Sequence, residues 1–235
     1  MLILLPPSET KAAGGDGPPL ELAELAFPEL TKIRTRLTAA LIRLSRNRTA
    51  SRRALGLSPR QDGEIARNAE LAGSPTLPAY ARYTGVLYDA LDAPTLAPGA
   101  RGSLLIASAL FGVLRADDAI PAYRLSGSSV LPRLGGLGPL WRPTLVRTLA
   151  ACGPILDLRS GDYARLAPLP GALVARVVAA DGRAVSHDNK STKGVLARAL
   201  AGSDAESIEE IATTASRSGL VVVRTGPKSL DVAIG

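Results

Sequence analysis

The chain has 235 residues, of which 46% are apolar and 21% are charged, and it carries a net charge of +7. This composition is typical of a folded globular protein and excludes a wholly disordered one. Cys152 is the only cysteine and His187 the only histidine. An internal disulfide and a metal site built from several thiolates or imidazoles are therefore excluded, and we expect neither a metal ion nor a cofactor.

The excess of positive charge lies in one segment. Between Thr31 and Glu70 there are ten basic and three acidic residues, a local charge of +7. The rest of the chain has 18 basic and 18 acidic residues and is neutral. A localised excess of this size predicts an anionic partner, above all a nucleic acid, at that segment.

No apolar run approaches the length of about 20 residues that crosses a bilayer. The apolar residues 2–5 have no basic region before them and no small-residue cleavage site after them. The sequence therefore predicts a cytoplasmic protein with no signal peptide and no membrane partner.

The first third of the chain predicts one strand followed by helices. An apolar run at residues 1–5 is typical of a buried strand and is ended by two prolines. Helical spacing of apolar residues follows at 20–27, 29–44 and 46–55, in a helix that begins at Ser58, and at 78–91. The basic residues thus fall in a helical lobe, residues 29–72, that we expect to be inserted in a single domain spanning residues 1–235.

The remainder alternates between strand and helix patterns. Strands are predicted at 103–109, 122–125, 155–158, 173–179, 220–224 and 228–234, and helices at 141–151, 190–200 and 204–216. Turns are predicted at 111–114 and 159–162, and a glycine-rich loop at 133–139. This alternation predicts an α/β or mixed α+β fold, with helices packed on a mixed sheet.

The lobe contains an apolar–Gly–apolar turn, Leu55–Gly56–Leu57, between two predicted helices. Glycine permits a tight turn, and the start of the next helix offers backbone N–H groups to phosphate oxygens. The pattern favours a helix-hairpin-helix that grips the DNA backbone, with these candidate contacts: Arg46, Arg52, Arg53, Gly56 and Arg60. The alternative is an ordinary helical connection with a solvated arginine face.

Polar residues follow the predicted strands of the neutral part. In open α/β sheets, side chains at the carboxyl ends of strands converge on one crevice, and cations there suit a phosphate or carboxylate ligand. The candidate positions are Lys11, Ser108, Arg115, Tyr123, Arg124, Asp157, Ser160, Tyr163 and Lys193. The alternative is ion pairing within loops, such as Asp157 with Arg159 or Asp118 with Arg115.

Five segments, in this order, resemble the peroxide stress protein YaaA family: residues 1–11, 83–91, 108–125, 157–163 and 190–194. The resemblance implies a cytoplasmic protein that protects cells from hydrogen peroxide by limiting free iron and DNA damage. It also implies a mixed α/β core with a helix-hairpin-helix, at Gly56 in this chain, that binds double-stranded DNA. The nine polar positions named above are those at which the family is strongly patterned.

Two hypotheses follow from the sequence. The first is a DNA-associated protein of the oxidative stress response. The second is an enzyme that acts on a small anionic or nucleobase-like substrate. In it, Arg115 and Arg124 bind the anion while Tyr123, Asp157 or Lys193 moves protons. Direct iron chelation is disfavoured by the shortage of histidine and cysteine. The substrate, the preferred DNA structure and the oligomeric state stay open at this point.

Overall fold

The computed structural model describes residues 1–159, 161–178 and 188–234. Twelve strands occur in these residues: Leu2–Leu5 (β1), Gly17–Pro19 (β2), Pro75–Pro78 (β3), Leu104–Ser108 (β4), Gly112–Arg115 (β5), Ala119–Ile120 (β6), Val130–Leu131 (β7), Gly135–Gly136 (β8), Ile155–Asp157 (β9), Leu173–Val177 (β10), Leu220–Gly226 (β11) and Ser229–Ile234 (β12).

Ten α-helices accompany the strands in the same described ranges: Thr31–Ser45 (α1), Arg48–Leu55 (α2), Asp62–Ala69 (α3), Ala79–Arg82 (α4), Val86–Leu91 (α5), Pro98–Arg101 (α6), Leu137–Ala150 (α7), Gly161–Leu166 (α8), Asp188–Leu200 (α9) and Ile208–Arg217 (α10). The mixed α/β class predicted from the sequence is thereby confirmed.

A seven-stranded mixed sheet organises the fold, in the order β11-β12-β10-β9-β1-β4-β5. The five inner strands are parallel, and the edge strands β11 and β5 run antiparallel to their neighbours. Strands β1 and β4 are short and almost wholly apolar because parallel strands in the middle of such a sheet are buried on both faces. The segments that follow β1, β4 and β9 therefore emerge at one edge of the sheet.

Two predicted elements are wrong. Residues 20–27 form turns and no helix; the Ala26 N–H donates to the Asp118 carboxylate, and Phe27 has a left-handed φ of 63° directly before Pro28. A residue that precedes proline is disfavoured in the α conformation, which prevents the helix from continuing. Residues 122–125 form no strand.

Three boundaries also differ from the prediction. The turn expected at 111–114 is largely strand β5, which forms a hairpin with β4. The helix expected at 78–91 is interrupted between α4 and α5, where Gly85 has a φ of 101°. Helix α7 begins at Leu137, inside the expected glycine-rich loop, and buries Trp141, whose indole N–H donates to the Ala109 carbonyl at 2.9 Å.

A buried arginine fastens the segment that follows β1. Arg82, at the end of α4, is fully buried, and its guanidinium donates to the carbonyl oxygens of Ala12, Gly14, Pro75 and Ile120 at 2.6 to 3.1 Å. These contacts join the segment after β1 to strands β3 and β6. Burial lowers the pKa of this guanidinium. The segment that follows β1 is therefore held in place by the side chain of Arg82.

We expect Arg82→Lys to lower the free energy of unfolding by about 3 kcal/mol, because one ammonium cannot reach four carbonyls and leaves buried acceptors unpaired. Urea unfolding measures the change. The matched control is Arg36→Lys, which changes an exposed arginine of α1. Its loss in the free energy of unfolding is expected to be about 0.5 kcal/mol or less. Equal losses in the two variants would contradict this role for Arg82.

Candidate functional site

A cluster of polar side chains lies where β1 and β4 end. Ser108 is the last residue of β4 and is fully buried. Lys11 follows β1 and is held by an isolated bridge to Tyr83, while the next residue donates its N–H to the Arg82 carbonyl at 2.9 Å. The structure therefore brings together Lys11, Ser108 and Tyr123, three of the predicted positions, and adds Tyr83.

Three hydroxyl groups join this cluster. The phenol oxygens of Tyr83 and Tyr123 lie 2.8 Å apart, and Tyr123 Oη lies 2.7 Å from Ser108 Oγ. The Phe111 N–H donates to Ser108 Oγ at 2.9 Å, which fixes the serine rotamer. Both phenols are buried, and this burial raises the pKa of Tyr83 to about 12 and that of Tyr123 well above its usual range. Both are thus neutral at physiological pH.

The Lys11 ammonium packs on the two phenol rings. Its Nζ lies 4.3 Å from the centroid of the Tyr123 ring and 5.2 Å from that of Tyr83, and it donates to the Ser8 carbonyl at 3.1 Å. Burial is the largest cause that lowers the pKa of Lys11 to about 8. The nearby Arg124 also lowers this pKa, and Glu9 opposes the shift. A fraction of the amine is therefore uncharged near neutral pH.

Arg124 stands beside this amine and is tied to the basic lobe. Its guanidinium pairs with the Glu9 carboxylate at 2.5 Å, while its buried Nε has no hydrogen-bond partner in the structure. The Asn68 amide, on α3, accepts from the Arg124 N–H at 2.8 Å and donates to the Arg124 carbonyl at 2.9 Å. This amide replaces the strand pairing that was expected at residues 122–125, and it joins the lobe to the site.

Asp157 and Lys193 lie at the same edge of the sheet, at the end of β9 and on α9. The guanidinium of the buried Arg159 donates two hydrogen bonds, of 2.8 and 2.9 Å, to the Asp157 carboxylate. The ion pair between Asp157 and Arg159, which the sequence left open as an alternative, is therefore present. Arg159 also donates to the Tyr163 and Ala167 carbonyls. Burial lowers the pKa of Lys193, and the Asp157 charge opposes that shift.

One predicted position, Arg115, does not join the cluster. Arg115 ends β5, which turns back from Ser108, so Arg115 lies opposite Leu105 and donates to the Gly102 carbonyl at 2.9 Å. Asp118 accepts from the backbone N–H of Arg115. Ser160 and His187 lie outside the described residues. Tyr163 is within the electrostatic reach of Glu9, Arg124 and Tyr83, and burial raises its pKa.

The lobe presents only part of its positive charge. Helix α2 ends at Gly56, whose φ is 63°, and α3 begins at Asp62 after a capping box at Ser58. Arg46, Arg53 and Arg60 are exposed, as is Gly56. The helices and the turn have the predicted order, and their identity as a DNA-binding helix-hairpin-helix stays a prediction.

Other arginines of the lobe hold the structure together. Arg52 donates to both oxygens of Asp62, at 2.7 and 2.6 Å, and so links α2 to the start of α3. Arg34 is fully buried and donates to the Phe111 and Val113 carbonyls, which attaches α1 to the sheet. Arg52, predicted as a phosphate contact, is thus already engaged within the protein.

A groove of about 570 Å³ lies beside the turn of the lobe. Arg53 and Gly56 line one wall, and residues 126–132 line the other, with three serines among them. No cluster of three or more metal-ligating side chains occurs in the described ranges. No helix within those ranges has the length and apolar character to span a bilayer.

Fold and site together define a mixed α/β protein with a basic helical lobe and a lysine–tyrosine cluster at the polar edge of its sheet. Residues 1–223 match the family of the peroxide stress protein YaaA. The chain is 48% identical over 233 residues to a UPF0246 protein of Corynebacterium efficiens, and 46% identical over 233 residues to one of Corynebacterium glutamicum; each match covers 94% of both chains. A UPF0246 protein of Streptomyces coelicolor is 43% identical over 214 residues, which cover 85% of this chain and 82% of that protein.

The chain belongs to the peroxide stress protein YaaA family, which confirms the resemblance seen in its sequence. This membership supports a role in the response to oxidative stress.

The pKa of Lys11 predicts a pH dependence of stability. The unfolded chain retains a lysine of ordinary pKa 10.5, whereas the folded chain has a pKa of about 8. Between these values the unfolded state binds more protons, so the free energy of unfolding rises with pH, by at most about 1.4 kcal/mol per pH unit. The Lys11→Met variant should lose this rise in urea unfolding, and the exposed control Lys32→Met should keep it. The same pH slope in all three proteins would refute the lowered pKa.

Proposed function

We propose that this protein acts in the peroxide stress response by binding the phosphate backbone of double-stranded DNA through its basic lobe. The observation that carries the proposal is the concentration of the whole net charge of +7 between residues 31 and 70, together with the exposure of three arginines around the Gly56 turn. Phosphate contacts of this kind position a protein on a duplex without reading its sequence.

The structure identifies which cations are available for such contacts. Arg34 is buried, Arg52 pairs with Asp62, and Arg67 pairs with Glu64 at 2.8 Å. Arg48 is exposed and lies 3.4 Å from the same Asp62 carboxylate, and the remaining cations of the segment are Lys32, Arg36, Arg43, Arg46, Arg53 and Arg60. Arg53 lines the groove, Arg60 follows the Gly56 turn and Arg46 lies between α1 and α2; no carboxylate among the described residues pairs with these three.

Phosphate binding offers a physical route to protection from peroxide. Lysine and arginine that neutralise phosphates release the cations condensed on DNA. Ferrous ions held there would be released as well, and radicals formed from peroxide would then arise farther from the duplex. In this proposal the effect on iron is indirect, since the described residues contain no cluster that could chelate it.

The test is the triple variant Arg46→Glu, Arg53→Glu, Arg60→Glu, with binding to a short duplex followed by fluorescence anisotropy at several salt concentrations. We expect the Kd to rise at least about tenfold and the salt slope to fall by about two to three, since each phosphate contact contributes close to one. Arg52 is left intact because its loss would break the α2–α3 ion pair.

The matched control reverses three exposed cations outside the lobe, Arg147, Arg217 and Lys228, and so changes the net charge equally. It should retain most of the affinity. If the control weakens binding as much as the lobe variant does, or if the lobe variant binds as the parent does, the lobe is not the DNA-binding surface.

A second candidate function is supported by the lysine–tyrosine cluster: binding or turnover of a small anionic substrate at the edge of the sheet. Arg124 is the cation placed to receive the anion, because its only carboxylate partner among the described residues, Glu9, is half exposed and free to be displaced. The buried Arg124 Nε, which has no hydrogen-bond partner among the residues that the structure describes, is a further N–H donor at this position. Arg115 does not contribute, since it lies away from the cluster.

For this second function, small carboxylates and phosphates are screened for their effect on the Tm of the protein. A ligand that raises the Tm of the parent should lose its effect in Arg124→Gln and keep it in the lobe triple variant. An equal shift in Arg124→Gln and in the parent would exclude Arg124 as the anion site. A shift lost only in the lobe variant would place the ligand on the lobe instead.

A further inference from the structure

The chemistry of Lys11 goes beyond binding an anion. Lys11 follows the parallel strand β1, is half-buried, and has no carboxylate paired with its amine in the described part of the chain. Two aromatic faces and one carbonyl oxygen surround it. A surface lysine that serves only solubility needs none of these restraints, so the arrangement holds one nitrogen in a defined place.

We propose that Lys11 is a nucleophile that forms an imine with the carbonyl carbon of a small aldehyde or ketone carrying an anionic group, and that Arg124 binds this group. The inference rests on the second candidate function and names its substrate class. It requires neither a cofactor nor an oxidant.

The step balances without another reactant. The neutral Lys11 nitrogen attacks the carbonyl carbon and forms a carbinolamine. The former carbonyl oxygen then leaves as water. When both protons of this water come from the amine the imine is neutral, and when one comes from solvent or acid the imine is protonated. The products are a protonated or neutral imine and one water molecule. A lysine made less basic by a desolvated pocket and a cationic neighbour is suited to this reaction, because more of it is uncharged.

The surroundings of Lys11 favour this step over simple ion pairing. Tyr83 and Tyr123 are buried and neutral, so they provide no anion to hold the ammonium in its charged form. Arg124 disfavours the charged amine, against the opposing charge of Glu9, and at the same time attracts an anionic substrate. The backbone of Arg124 is itself fixed by the Asn68 amide.

The hydroxyl network supplies a way to handle the protons. The Tyr123 hydroxyl lies 2.8 Å from that of Tyr83 and 2.7 Å from that of Ser108, so the three form a hydrogen-bonded chain. A neutral phenol can donate a hydrogen bond to the departing oxygen of a carbinolamine, while the proton itself comes from the amine or from solvent. Tyr123 is therefore assigned a supporting role, and the covalent bond is assigned to Lys11 alone.

The experiment uses glyoxylate as the anionic aldehyde and acetaldehyde as its uncharged counterpart. The folded protein is incubated with each at neutral pH, reduced with sodium cyanoborohydride, digested, and mapped by mass spectrometry. We expect glyoxylate to label Lys11 at least about tenfold faster than Lys32 and Lys228, because a lysine of lowered pKa has more free amine. Those two exposed lysines are internal controls in the same chain.

A pH series and two variants test the roles of the amine, the cation and the phenol separately. Labelling of Lys11 should fall as the pH is lowered below about 8. In Arg124→Gln, labelling by glyoxylate should drop several-fold while labelling by acetaldehyde should persist. Tyr123→Phe removes the phenol hydroxyl and keeps the ring; it should slow labelling and leave the Tm effect of glyoxylate in place.

Three results would overturn the proposal. One is labelling of Lys11 no faster than that of the two exposed lysines. Another is equal loss of glyoxylate and acetaldehyde labelling in Arg124→Gln. The last is a Tm increase by glyoxylate that depends on Arg124 but yields no trapped adduct; in that case the small-anion function stands and the imine does not. If glyoxylate neither stabilises nor labels the protein, both ideas fail for this class of ligand.

Discussion

The structure depends on buried guanidinium groups that bind backbone carbonyls. Arg82 holds four carbonyl oxygens from three separate segments, and Arg34 does the same between α1 and the sheet. Only a planar group with five N–H donors can satisfy so many acceptors from one point. Each thereby ties loop and strand carbonyls together, and each keeps its charge away from solvent.

This constraint determines where the polar site lies. The segment after β1 could run across the end of the sheet in many ways, but Arg82 fixes its carbonyls and the bridge to Tyr83 fixes Lys11. The side-chain amide of Asn68 likewise fixes the backbone of Arg124, because it bonds both the N–H and the carbonyl of that residue. The nucleophile, the hydroxyl network and the cation thus come from segments distant in sequence and are joined by side-chain-to-backbone bonds.

The sequence predicted what depends on local pattern. Buried runs identified β1, β4 and β9, and the convergence of strand ends correctly placed Lys11, Ser108 and Tyr123 near one another. It failed where tertiary contacts decide. Arg115 was grouped with them because the β4–β5 hairpin was interpreted as a turn, and Tyr83 was missed because it lay inside a predicted helix that Gly85 breaks. A charge count could not separate buried Arg34 or paired Arg52 from exposed cations, since burial depends on partners remote in the chain.

The sparse use of sulfur has a chemical meaning for a member of this family. Hydrogen peroxide attacks thiolates and thioethers first. The single thiol, Cys152, is half-buried, donates to the Thr148 carbonyl at 3.3 Å, and has its pKa raised by burial, so little of it is present as thiolate. Met1 is the only methionine, and Trp141 is sealed in the core. A protein that works during an oxidative burst must itself resist oxidation, and this chain presents few side chains whose modification would disturb its packing.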